Sequence, residues 1–242
     1  MVRAFKMNFS RIKIQYICKA INFIFLFSFY QIACQNTKNN IGKLSNNKSC
    51  DSLIIAPFHG TIFIDPDIVT PEDYSTFINL SYNGRAERIM FDRRVADWIT
   101  STPYLFPANY DDSIRIEIQV NPEFGDLASA KLQAEKFAPV IGQLSTELRK
   151  DVQTVWIHRG NYPFGGGNNN LLIHTDYSEL NYEEQGILEE TLIHEAAHTS
   201  LDTYHAENSL WLDAQKADCG FISSYAEEYP LREDIAESFL PY

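Results

Sequence analysis

The chain has 242 residues, 45% hydrophobic and 21% charged, which supports one sizeable core and is short for two. Its formal net charge of −12 disfavours nucleic-acid binding, because an acidic surface repels phosphate backbones. Four cysteines with no C-x-x-C spacing argue against a cysteine-based zinc knuckle.

Residues 1–33 hold five basic residues (Arg3, Lys6, Arg11, Lys13, Lys19) and no acid, and lead into an apolar run at 21–30. That is the layout of a secretory signal, and the run is shorter than the roughly 20 apolar residues of a membrane span. Removing the segment takes the net charge from −12 to −17. The run ends Gln31-Ile32-Ala33-Cys34, similar to a bacterial lipobox, although Gln31 stands where Leu, Val or Ile is usual. Lipidation at Cys34, plain cleavage nearby and an uncleaved anchor all stay open. Each implies export, with the protein secreted, periplasmic or anchored to a membrane through its N-terminus. Residues 34–50, rich in Asn and Lys, read as a flexible tether, and the folded domain is expected over 51–242. In an oxidising compartment Cys50 and Cys219 either pair or remain two free thiols.

Within the domain, residues 60–64 read as a short strand. Residues 76–82 and 85–91 read as a hairpin about Asn83-Gly84, since Asn-Gly tolerates the positive φ of a tight turn. Ile114, Ile116, Ile118 and Val120 alternate with polar residues, the pattern of a half-buried strand. A helix capped by Asp126 follows, with Leu127, Ala130, Ala134, Phe137, Ala138 and Ile141 on one face and Pro139 in its last turn. Strands are expected at 152–158 and 171–175, with a mobile loop or hairpin end at Gly165-Gly166-Gly167 between them. Asn181 and Glu184 resemble a capping box opening the next helix, and a last helix covers about 232–240. This order of elements is α+β.

His194-Glu195-Ala196-Ala197-His198 carries the chemistry. On a helix, residues four apart share a face, so both imidazoles can reach one metal ion. Glu195, one position off that face, is placed to take a proton from an attacking water. A catalytic zinc needs a third protein ligand and one open position. Candidates are His205, one place late for the metzincin spacing, Asp202, four residues past His198 and suited to support its imidazole, and Glu233, paired with Glu237 at i, i+4.

Residues 194–202 (HEAAHTSLD) and 221–239 (FISSYAEEYPLREDIAESF) together resemble the gluzincins, metallopeptidases whose third ligand is a glutamate. The likeness is nearest to anthrax-lethal-factor-like domains and to bacterial zinc metallopeptidases with a Y-A…P…E-D-x-A-E-S-F segment. It extends more diffusely over residues 91–94, 120–124 and 165–170. The resemblance implies a zincin-like domain with a twisted sheet and an active-site helix, and one zinc ion held by His194, His198 and Glu233. It further implies a Tyr225 hydroxyl that contacts the developing oxyanion, a supporting carboxylate at Glu237, and an aspartate at Asp202. The expected activity is hydrolysis of a peptide or protein substrate, with Glu195 as general base. Residues 171–175 are the expected edge strand for that substrate, and His174 is expected to be packed in it rather than to line the cleft. A non-catalytic, zinc-stabilised surface lipoprotein is the alternative. A peptidase acting only on its own precursor or one partner is another.

Overall fold

The computed structural model describes residues 54–62, 66 and 68–241. The expected signal segment at 1–33, Cys34, the expected tether at 34–50 and Cys50 lie outside the described residues. No helix among the described residues is long and apolar enough to cross a membrane.

Six strands form a mixed sheet: β1 (Phe77–Leu80), β4 (Tyr104–Tyr110), β5 (Arg115–Val120), β6 (Thr154–His158), β8 (Asn170–His174) and β7 (Gly165–Gly167), in that spatial order. β5, β6 and β8 run parallel, and the strands at either end pair antiparallel. β2 (Arg88–Asp92) and β3 (Asp97–Ser101) make a separate hairpin. The molecule is therefore mixed α+β.

Alternation places Ile116, Ile118, Val155, Ile157, Leu171 and Ile173 on one face, where they meet α1 (Leu127–Ile141) and α3 (Leu188–Ser200) in the main core. Asp126 caps α1 by accepting from the Ser129 amide, as its sequence predicts. Trp156 and Leu172 point to the other face and pack against Met90 of the β2–β3 hairpin. Between β7 and β8, Asn168 and Asn169 both take positive φ, 52° and 56°, so residues 165–174 close as a tight two-residue hairpin. A short helix α2 (Thr146–Arg149) precedes β6, and α4 (Ser209–Asp218), α5 (Ser224–Glu228) and α6 (Asp234–Phe239) complete the chain.

Several expectations need correction. Residues 60–62 are not a strand; they run as an irregular segment over α5 and α6, and 63–65 lie outside the described residues. The Asn83-Gly84 hairpin is absent, because both residues bond to β4 instead: the Asn83 amide donates to Leu105 O and the Leu105 amide to Gly84 O. β1 pairs with β4, and β2 with β3. The helix that carries His194 and His198 does not begin at Asn181, whose side chain donates back to Tyr177 O. A turn of wide helix covers Ser178–Glu183, Gly186 breaks it at φ +66°, and α3 starts at Leu188. β8 is not an edge strand; β7 covers it.

Candidate metal centre

The centre is built on α3 and the approach to α6. His194 and His198 stand one turn apart on α3, only 4% and 6% exposed. Glu233 immediately precedes α6 and is 2% exposed. Its amide donates to Tyr229 O at 2.8 Å, so the turn after α5 aims it inward.

Three atoms converge: His194 Nε2 and His198 Nε2 lie 3.1 Å apart, and Glu233 Oε2 lies 3.2 Å from each. A tetrahedral ion with ligands at about 2.0–2.1 Å has ligand-to-ligand edges of about 3.3–3.4 Å. The triangle matches one face of that tetrahedron, so these residues fit a metal ion with one coordination position left over. Among the described residues this is the His/Cys/Asp/Glu group arranged to hold one.

The remaining atoms are held from behind. His198 Nδ1 donates to Asp202 Oδ2 at 2.8 Å, which leaves Nε2 facing the centre. Glu237 Oε1 lies 3.3 Å from His194 Nδ1. Glu233 uses its second oxygen for the Tyr225 hydroxyl at 3.2 Å and the Arg232 guanidinium at 3.1 Å.

Electrostatics favour a cation here. Burial alone would lower both imidazoles, but Asp202 and Glu233 outweigh it and push His198 up to about 10. Glu233 and Glu237 likewise raise His194. Burial would raise the Glu233 carboxyl, yet the two imidazoles hold it well below the usual carboxylate range. The cluster thus draws positive charge to one point, which a divalent cation supplies without protonating the rings.

Glu195 lies between His194 and His198 in sequence and is half-buried. Its charge acts on His194, His198 and Tyr225. Among the described residues no hydrogen bond or salt bridge holds its carboxylate. Its backbone is fixed instead: Thr199 Oγ1 donates to Glu195 O, and Gly166 of β7 lies against the same carbonyl. Tyr225, at the start of α5, has its hydroxyl pushed up to about 12 by burial and the Glu233 charge, so it stays a donor at neutral pH.

No known protein family, curated protein or solved structure matches the chain.

Of the predicted residues, His194, His198 and Glu233 converge, Asp202 and Glu237 stand behind the imidazoles, and Tyr225 touches Glu233. His205 is not in the cluster. His174 is fully buried and stacks on His158 with centroids 5.5 Å apart, a packed strand histidine. Sequence reasoning missed Gly166 and the residues that grip Glu237: the Thr61 hydroxyl and the Ile62 amide, the latter at 2.7 Å. The run of three glycines was a signal for a close backbone approach; nothing local in the sequence marked Thr61.

Proposed function

We propose that this chain is an exported zinc metallopeptidase with one zincin-like domain, zinc being held by His194, His198 and Glu233. The observation that carries the reading is the Nε2–Nε2–Oε2 triangle with Glu195 beside it on the same helix. A structural site has no use for such an unengaged carboxylate and tends to be closed by four protein ligands. Zinc bound there would lower the pKa of a coordinated water to roughly 7 and polarise a substrate carbonyl.

The residues divide the remaining work. Glu195 takes the proton as water adds to the scissile carbonyl, then returns it to the leaving amine as the C–N bond breaks. The Tyr225 hydroxyl, swung from Glu233 Oε1, donates to the oxygen that gains charge. Asp202 and Glu237 hold the ligand imidazoles in one tautomer and orientation. A substrate in extended form would add to the edge strand β7, which α3 holds next to Glu195. Cys219 is disulfide-bonded, and a disulfide suits an oxidising, exported setting.

Purified protein should contain one zinc per chain and cleave casein or a mixed peptide pool. Glu195→Gln should keep the zinc and lose about 10²–10⁴-fold in rate. Full activity in that variant would remove the proposed base, and protein without stoichiometric zinc would remove the whole assignment.

A further inference from the structure

The segment 54–62 enters the fold beside the residues that lead to the metal centre. The Ile54 amide donates to the carbonyl of disulfide-bonded Cys219 at 2.8 Å. Phe58 then bridges Ser223 in parallel, with the Phe58 amide donating to Ile222 O and the Ser224 amide to Phe58 O. Gly60 accepts from the Tyr225 amide at 3.1 Å and donates its own N–H to Ser224 Oγ at 2.8 Å. The segment is thus laced to the first turn of α5, where Tyr225 stands.

It ends on Glu237. The Thr61 hydroxyl donates to Glu237 Oε1 and the Ile62 amide to Glu237 Oε2 at 2.7 Å. Glu237 is fully buried, and its Oε1 is the oxygen that faces His194 Nδ1 at 3.3 Å. A buried carboxylate needs its lone pairs satisfied, and its rotamer is set by whatever satisfies them. Here two of its donors come from a segment 175 and 176 residues away in sequence.

We propose that residues 58–62 are a working part of the metal centre and that Thr61 is a positioning residue for His194, acting through Glu237. This rests on the zinc reading above. Thr61 and Ile62 hold the carboxylate, and the carboxylate fixes the ring that presents Nε2 to the ion. Groups behind a ligand typically govern metal affinity by about 10–100-fold.

The test compares Thr61→Val, which keeps the shape and removes the hydroxyl, with Thr61→Ser, which keeps the hydroxyl. Zinc dissociation constants are measured by competition with a chromophoric chelator, alongside the visible spectrum of the cobalt-substituted protein and the unfolding midpoint of metal-free protein. Thr61→Val should weaken zinc about 10-fold and alter the cobalt spectrum, and it should also lower the metal-free midpoint, because a buried carboxylate loses a donor. Thr61→Ser should restore both within about twofold. Parent-like zinc affinity in Thr61→Val overturns the proposal, as does an equal loss in both variants, which would mark packing rather than the hydroxyl. A parent protein that takes up no zinc fails at the earlier step, before the variants are compared.

Discussion

A β-carbon added to Gly166 would stand 1.8 Å from the carbonyl oxygen of Glu195. The edge strand therefore touches the backbone of the proposed general base, and only glycine permits that approach. Gly166→Ala must push β7 off α3, since the obstacle is backbone and cannot rotate away. We expect a loss of about 1–3 kcal/mol in urea unfolding, as for overpacked cores, and a fall in kcat/KM larger than the fall in zinc content. Gly84, away from the site, is the control: a β-carbon there meets nothing within 4 Å, and its φ of +80° alone makes alanine costly. Gly84→Ala should lower stability with little change in activity per folded molecule.

The two supports of the imidazoles offer a second test. Asp202→Asn keeps the shape but removes the charge that His198 Nδ1 donates to. Zinc should bind about 10–100-fold more weakly by chelator competition. Glu233→Gln removes the charge of the proposed third ligand, so its loss should exceed that of Asp202→Asn. The reverse order would mean that Glu233 is not the third ligand.

The spacing of His194 and His198 made half of the centre readable, because helical periodicity turns a four-residue interval into a shared face. Asp202 was readable for the same reason. Glu233 needed the resemblance of the 221–239 segment, since no periodicity links it to α3. Thr61 was invisible: its contact with Glu237 spans 176 residues and belongs to tertiary structure.

The fold divides along the same line. β5, with one alternating face, and α1, with a cap and a stripe, are dictated locally. β4 (Tyr104–Tyr110) escaped because it is buried almost throughout and carries Pro107, which usually demotes a strand. The Asn83-Gly84 turn failed because its flanks found partners in β4 and β3, a choice made by packing after the turn residues had allowed several.

A variant at Tyr225 separates the proposed catalytic role from metal binding. Its hydroxyl contacts Glu233 Oε1, the oxygen turned away from the imidazoles, so removing it should disturb the metal little. Tyr225→Phe should bind zinc within about threefold of the parent while kcat drops about 10²-fold, the usual loss for one oxyanion donor. Unchanged kcat would return this tyrosine to a structural role.

His158 sets an acid limit on stability that is independent of the metal. Its ring is fully buried, and Asn121 Nδ2 donates to its Nδ1 at 2.9 Å, which fixes the proton on Nε2. Burial lowers its pKa to about 4, with Arg94 and the stacked His174 pushing the same way and Asp92 and Glu123 opposing. In the unfolded chain the same imidazole titrates near 6.5. The folded state therefore holds the neutral ring, and its contribution is complete above about pH 6.5 and is lost as pH falls toward 4. The shift corresponds to about 3 kcal/mol. Urea midpoints between pH 7.5 and 4 should fall steeply below 6.5 in metal-free protein. In His158→Gln, which has no proton to gain at this position, that part of the slope should vanish even if the variant is less stable at pH 7. An identical pH profile in the two proteins would place the acid sensitivity elsewhere.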